Sequence, residues 1–340
     1  MLAASTGTPA QLVHLGWLDD PSETMSPTSI FAPASTPADS IVEVSYFVLA
    51  VAAGIFLVVG GLLVYAVVRF KKPVHDDGHE PAQVYGSNEV EIAWTVVPIL
   101  IVVVLFLATA RVIASIQGAA KPRDAVEVVV IGHQYWWEYR YPKWDVVTAN
   151  ELHVPVSDPS DPTPTFMTLL SADTDHSFWV PRLAGKTDLI PNHPNAMWID
   201  PRETGLYLGQ CAQYCGTQHA KMLLRVYVDS RKDFDRWIEA QKRPARSDDS
   251  VSRGRDLFES TACVNCHTIS GTSAQGRFGP DLTHFMSRDT IASGAAANTP
   301  ENVRLWLRNP DAIKPGSRMP AMKLADEDVE AVARYMESLR

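Results

Sequence analysis

Two long uncharged runs constrain this chain more than any other feature. Val44 to Val68 is 25 residues without a charge, and Ile92 to Ala110 is a further 19. At about 1.5 Å per residue, each is long enough to cross a hydrocarbon core of about 30 Å. A buried core helix is the other reading of such a run, but core helices seldom extend for about 20 residues without a polar face. Arg69, Lys71 and Lys72 follow the first run, whereas Asp39 and Glu43 precede it. This cation excess places the short connection in the cytoplasm and both termini on the outer side of the membrane. The first 40 residues are rich in Pro, Ser and Thr and show no basic region leading into an apolar stretch, so no signal peptide is read there.

The averages conceal this division. A chain that is 46% hydrophobic and 20% charged, with net charge −9, would suit a soluble acidic protein. The apolar residues are concentrated between Val44 and Ala110, so a membrane part and an aqueous part share one chain. Acidic balance without basic clusters gives no basis for a nucleic-acid partner.

Beyond the second run the pattern becomes β-rich. Val126–Ile131, His153–Val156, Phe166–Leu170, Ala196–Ile199 and Leu223–Val228 are β-branched or aromatic runs between turn residues, which predicts a small all-β sandwich or barrel. An amphipathic stretch, Lys232–Lys242, follows, and then a polar, Pro-interrupted segment from Arg243 to Ser250 that reads as a linker. From Ser252 to Arg340 the signals are helical, at Gly254–Ser260, Pro300–Arg308 and Asp326–Leu339. In the last of these, Val329, Val332, Ala333 and Met336 fall at i, i+3, i+4 and i+7.

Within the helical part, Cys263-Val264-Asn265-Cys266-His267 is the C-x-x-C-H pattern of c-type haem attachment. Two thiols form thioether bonds to the porphyrin and the histidine takes one axial site. Half a zinc site or a redox dithiol are the other readings of C-x-x-C. The chain's two remaining cysteines have their own histidine and methionine nearby, which leaves no second half for zinc. An electron-transfer haem needs a sixth ligand, and a thioether raises its potential. The segment Pro315-Gly316-Ser317-Arg318-Met319-Pro320-Ala321-Met322 resembles the axial-methionine loop of class I cytochromes c. That resemblance favours Met319, with Met322 as the other candidate. Phe278-Gly279-Pro280-Asp281-Leu282 resembles the segment of the same family whose proline lies against the proximal histidine.

A second cluster lies upstream. Cys211 to Met222 places two thiols, an imidazole (His219) and a thioether within twelve residues, a soft and borderline donor set that favours copper over Mg²⁺ or Ca²⁺. A mononuclear blue-copper site would use one cysteine, and here there are two. Two thiolates can bridge two copper ions and share one electron between them. His176, 35 residues before Cys211, can supply the second imidazole. A Cys211–Cys215 disulfide is the competing reading, since the outer compartment permits one.

With these motifs together, the chain resembles subunit II of cytochrome c oxidase, in the form fused to cytochrome c found in bacterial caa3-type oxidases. The resemblance runs from Ile30 to the C-terminus. It implies a multi-domain membrane protein made of a two-helix transmembrane hairpin, a cupredoxin-like all-β Greek-key barrel and an all-α class I cytochrome c domain. The expected layout is an external segment (1–40), the hairpin (41–118), the barrel with a dinuclear CuA centre (119–241), a linker (242–251) and the cytochrome c domain (252–340). In the copper centre Cys211 and Cys215 would bridge, His176 and His219 would be terminal, Met222 would bind weakly, and the main-chain carbonyl of Gln213 would be the last ligand. Many relatives carry Glu where this chain has Gln213, and that carboxylate helps bind Mg²⁺, so the neutral amide argues against this metal here.

The aromatic run around Tyr135 and Trp136 resembles the family's electron-entry patch, and core packing is its alternative reading. Glu91 matches a position at the mouth of a proton channel, and a helix-start acid favoured by the dipole is the alternative there. The resemblance implies an electron path from cytochrome c, or directly from a quinol-cytochrome c reductase, through haem c and CuA to the haems of subunit I. Oxygen reduction and proton translocation would take place in the assembled complex, with subunits I and III and membrane lipid as partners. The location implied is the bacterial inner membrane, with the redox domains on the periplasmic side. A CuA-containing nitric oxide reductase subunit and a membrane-anchored electron carrier or sensor are the rival readings. Glu91, Trp94 and Thr95, which match the oxidase flanks, speak against the first.

Overall fold

The computed structural model describes residues 26–71, 83, 85–158, 160, 162–245 and 249–340. The Pro/Ser/Thr-rich start through Met25, most of the connection after Lys71, and residues 246–248 of the expected linker lie outside the described residues. The chain separates into two compact units, Asp39–Ala120 and the remainder.

The first unit carries the two apolar helices. Helix α1 spans Thr36–Arg69 and α2 spans Asn88–Gln117, so α1 starts several residues before its uncharged run and ends just past it, and α2 is several residues longer at both ends. Polar ends such as Asp39 and Arg69 extend a helix beyond its apolar stretch at little cost, because they reach the aqueous boundary. Both helices are long and apolar enough to cross a membrane, and their most apolar windows are not buried in protein.

In the second unit, ten strands form two five-stranded sheets. Strands β1 (Val126–His133), β2 (Trp136–Tyr141), β3 (Val146–Ala149), β5 (Thr165–Ser171) and β8 (Asn195–Ile199) build one sheet in the order β3-β2-β1-β5-β8. Strands β4 (Glu151–Pro155), β6 (His176–Trp179), β7 (Thr187–Leu189), β9 (Gly205–Cys211) and β10 (Leu223–Asp229) build the other in the order β4-β10-β9-β6-β7. Each sheet holds one parallel pair, β1 with β5 and β4 with β10, among antiparallel neighbours. Such crossovers give the expected Greek-key, cupredoxin-like arrangement. The side chains facing between the sheets include Val128, Val130, Trp137, Tyr139, Leu169, Phe178, Leu224 and Val226, all within 1% of full burial.

Helix α3 (Arg231–Gln241) closes one end of the barrel. Ser230 Oγ caps its start by accepting from Asp233 N, and Phe234 and Ile238 are buried.

The helical domain consists of α4 (Ser252–Ser260), α5 (Cys263–Cys266), α6 (Pro300–Arg308), α7 (Pro310–Ile313) and α8 (Asp326–Ser338). Thr299 Oγ1 accepts from Asn302 N, and Pro300 occupies the first turn of α6, so the entry to that helix is fixed by its own sequence. Asp326, Glu327 and Asp328 open α8 where the helix dipole favours acids. Gly254 allows α4 to cross α8 closely: a Cβ there would lie 2.0 Å from the Ala331 carbonyl oxygen. One element departs from an all-α description, a two-residue antiparallel ladder of β11 (Thr290–Ile291) and β12 (Ala296–Ala297). Its turn uses left-handed backbone at Ala292, Ser293 and Gly294.

Candidate metal centre and haem attachment site

The predicted metal-binding side chains come from three places in the barrel. His176 opens β6, Cys211 ends β9, and the loop to β10 supplies Cys215, His219 and Met222. Strands β6 and β9 are direct neighbours, with Phe178 opposite Cys211, so strand pairing brings an imidazole from one segment to a thiol 35 residues away. Cys211, Cys215, Met222 and His176 are all at most 3% exposed.

The donor atoms converge. Cys211 Sγ lies 3.9 Å from Cys215 Sγ and 3.9 Å from His176 Nδ1. Cys215 Sγ lies 3.8 Å from both His219 Nδ1 and Met222 Sδ. The Gln213 carbonyl oxygen is 3.1 Å from Cys211 Sγ. Both thiols are free, and their separation is far beyond the roughly 2.05 Å of a disulfide. Donors spaced in this way suit ions bound at about 2.0 to 2.3 Å from each ligand, and two sulfurs, two imidazoles and a thioether are a copper-type set. Six donors also exceed the four that a mononuclear site of this kind takes. The residues therefore fit the metal that the sequence implied.

The sulfurs and the buried imidazole perturb one another's ionisation. Sharing one proton between the sulfurs holds the Cys211 thiol far below its ordinary pKa and pushes the Cys215 thiol up. Burial works against the His176 imidazolium, yet the Asp173 carboxylate and the Cys211 sulfur together hold its pKa above the ordinary value.

Supporting contacts orient these candidate ligands, and sequence reasoning passed over most of them. Asp173 Oδ1 lies 2.8 Å from His176 Nε2. Gln134 donates from its main-chain nitrogen to Asp173 Oδ2 at 2.6 Å and from Nε2 to the Cys215 carbonyl at 2.5 Å, tying the two ligand-bearing segments together. Gly132 leaves space for the imidazole: a Cβ there would stand 2.8 Å from His176 Cδ2.

Tyr135 and Trp136 are each 8% exposed. The Tyr135 hydroxyl bonds Thr217 within the ligand loop, and Trp136 stacks on His133 with centroids 4.1 Å apart. Neither ring lies open to solvent. Glu91 stands exposed in the first turn of α2.

The residues expected to attach a haem lie on and after α5. Cys263 and Cys266 are half-buried free thiols one turn apart. His267 donates from Nδ1 to the Pro280 carbonyl at 2.8 Å. This tautomer leaves the Nε2 lone pair free for iron, and burial pushes the imidazolium pKa down, which keeps the ring in its ligating form. A Cβ on Gly279 would stand 2.6 Å from His267 Cε1, so the glycine is a cradle for the imidazole. Phe278, 85% exposed, presents apolar surface next to it in sequence. A flat apolar macrocycle carrying iron suits these residues. Met319 and Met322 are both half-buried.

Comparison with known proteins matches each part of this architecture. Residues 25–112 match the family model for the cytochrome C oxidase subunit II transmembrane domain, residues 159–228 that for its periplasmic domain, and residues 251–340 that for cytochrome c. The cytochrome c oxidase subunit 2 of Alkalihalophilus pseudofirmus is 33% identical over 299 residues, which covers 85% of this chain and 84% of that protein. The proteins of the same name from Bacillus sp. PS3 and Bacillus subtilis are each 31% identical, covering 80% and 81% of this chain and 80% and 82% of their own lengths.

Proposed function

Since this chain belongs to the cytochrome c oxidase subunit II family, we propose that it takes electrons from cytochrome c, or directly from a quinol-cytochrome c reductase, and passes them to the haems of subunit I. It is a membrane protein, the subunit of a haem-copper oxidase that carries its own cytochrome c domain. In the proposed path a covalent haem c and a dinuclear CuA centre supply the two one-electron stations. The complex then reduces oxygen to water and translocates protons, with the redox domains on the periplasmic side of the bacterial inner membrane and subunits I and III as neighbours.

The chain's own residues would do the following. Cys211 and Cys215 would bridge the copper pair, His176 and His219 would cap it, and Met222 and the Gln213 carbonyl would bind at the flanks. Cys263 and Cys266 would hold the porphyrin, with His267 and Met319 as axial ligands. Asp173 fixes the His176 ring and the Pro280 carbonyl fixes the His267 ring, each by occupying the nitrogen that does not bind metal. Glu91 would stand at a proton entrance.

One observation carries the copper reading: two buried, unbonded sulfurs 3.9 Å apart, each within 3.9 Å of an imidazole nitrogen. Metal and haem analysis of the purified chain tests it. Two coppers and one covalent haem per chain are expected, with the mixed-valence copper signal lost in Cys211→Ser and in Cys215→Ser. One copper per chain would indicate a blue-copper site, and a native Cys211–Cys215 disulfide would remove the middle station.

A further inference from the structure

The barrel and the cytochrome c domain belong to one compact unit, and they meet through side chains buried in each other. Lys314, in the segment leading to Met319, is 3% exposed. Its Nζ donates to the Tyr135 carbonyl at 2.8 Å, across the boundary, and to the Ala292 carbonyl at 3.0 Å, within its own domain. Glu151, which opens β4 of the barrel, is also 3% exposed. Its carboxylate accepts from Asp289 N at 3.1 Å and from Thr290 N and Oγ1 at 2.9 Å each, all in the cytochrome c domain. Each domain thus sends one ionisable side chain into the other.

Between these two anchors the turn of the β11–β12 ladder adds main-chain bonds. Leu223 N donates to the Ser293 carbonyl, and Ser293 Oγ donates to the Leu223 carbonyl. Leu223 directly follows Met222. On the other side, the metal loop touches the segment before Met319: Gln218 Nε2 donates to the Pro315 carbonyl, and Lys221 Nζ donates to the Ile313 carbonyl at 3.0 Å. The loop that holds Cys215, His219 and Met222 is therefore packed against the loop that holds Met319.

Ordinary surface contact does not look like this. A mobile, tethered domain would meet the barrel through a polar, solvated patch, whereas a lysine and a glutamate are almost never fully buried unless their donors and acceptors are met. The three bonds that the Glu151 carboxylate accepts, and one of the two that Lys314 Nζ donates, cross the boundary and exist only in the docked arrangement. Left in place without its partners across the boundary, Glu151 would be a buried carboxylate that has lost these bonds, and Lys314 would keep only the Ala292 carbonyl.

We propose that Lys314 and Glu151 are positioning residues, a reciprocal clasp that holds the cytochrome c domain docked on the barrel with its axial-methionine segment against the metal loop. Electron transfer between the two centres then takes place at a fixed spacing, and the face of the barrel over Tyr135 is closed to a soluble donor. This proposal rests on the electron path given above for its consequence, but the clasp itself needs neither metal nor haem to be detected.

The test uses the full chain in the purified oxidase, as wild type, Lys314→Met and Glu151→Ala. Hydrogen exchange of the Asp289, Thr290 and Leu223 amides reports docking, while amides of α8 and of Val226 in β10 report the two cores. In wild type the boundary amides are expected to be as protected as the cores. In each variant their protection is expected to fall by about tenfold or more while both cores keep theirs, the pattern of local opening and not of unfolding. The rate of electron transfer from photoreduced haem to copper is expected to fall with the docked fraction, about tenfold when that fraction drops to a tenth, with both absorption spectra unchanged. Boundary amides that exchange freely in wild type would overturn the proposal whatever the variants do. So would variants whose boundary protection and transfer rate both stay at wild-type values. A chain that lacks copper or haem would instead defeat the functional reading and leave the exchange result standing.

Discussion

Asp173 Oδ1 lies 2.8 Å from His176 Nε2, and this pair turns the opposite ring nitrogen, Nδ1, toward Cys211 Sγ. The carboxylate also receives the Gln134 and Thr174 main-chain nitrogens, and against the effect of burial the His176 imidazole, with these two nitrogens, keeps its pKa below the ordinary aspartate value. Asp173 is a fixed, ionised partner for an imidazole whose other nitrogen faces Cys211 Sγ and, in the proposed centre, would bind copper. Replacing it with Asn keeps the size but removes the charge that fixes the tautomer. Asp173→Asn is expected to weaken copper binding by about 10- to 100-fold, the usual cost of losing such a partner. Competition with a chelator of known affinity measures it, and unchanged affinity would remove Asp173 from the site.

Gly132 gives a steric prediction at the same ligand. Its Cβ position lies 2.8 to 3.1 Å from three atoms of His176, all in one direction. Trp137 stands edge-on to the same ring with centroids 6.1 Å apart, and a ring pushed aside would turn Nδ1 from Cys211 Sγ. Gly132→Ala is expected to cost about 1–3 kcal/mol of stability through overpacking and to lower copper occupancy by more than that loss accounts for. Thermal unfolding and metal analysis on one preparation separate the two effects.

The haem side offers the matching case. In Gly279→Ala the new methyl would stand 2.6 Å from His267 Cε1 and 2.9 Å from Nδ1, pushing the ring off the Pro280 carbonyl. Covalent attachment through Cys263 and Cys266 is expected to survive, since neither thiol is touched. The low-spin absorption bands are expected to give way to a high-spin or mixed spectrum. A variant with wild-type bands would show that the ring has room to shift.

How much of this was legible in the sequence follows from how local each feature is. The apolar runs and the C-x-x-C-H pattern lie within short windows, so period and spacing carry them. The donor spacing from Cys211 to Met222 lies in a short window for the same reason, and His176, expected from its strand-to-loop context, stands 3.9 Å from Cys211 Sγ. Strand β2 was hidden, because Trp136-Trp137-Glu138-Tyr139 buries both alternating faces and shows no period of two. The supporting contacts were hidden by distance along the chain. Gln134 meets Asp173 across 39 residues and Cys215 across 81, and Lys314 meets Tyr135 across 179. No local pattern marks such partners. The aromatic run at Tyr135 admits two readings in sequence because its surroundings include the cytochrome c domain, whose Lys314 donates to the Tyr135 carbonyl.

Lys314 yields a prediction in pH. Burial, the main cause, pulls its pKa from an ordinary 10.5 down to about 7. The Cys215 sulfur opposes this shift and the Lys221 ammonium adds to it. The carbonyls of Tyr135 and Ala292 accept from the amine whether it is neutral or protonated. In the undocked state the side chain is solvated and titrates near its ordinary value. Between pH 7 and 10.5 the undocked state therefore binds the extra proton, and docking strengthens as pH rises through that window. Below about pH 7 both states are protonated and Lys314 contributes no further pH dependence. Protection of the Leu223 and Thr290 amides against exchange, corrected for the intrinsic rate, is expected to rise from pH 7 toward pH 9 in wild type and to stay flat in Lys314→Met. A rise of equal size in both proteins would assign the effect to another group.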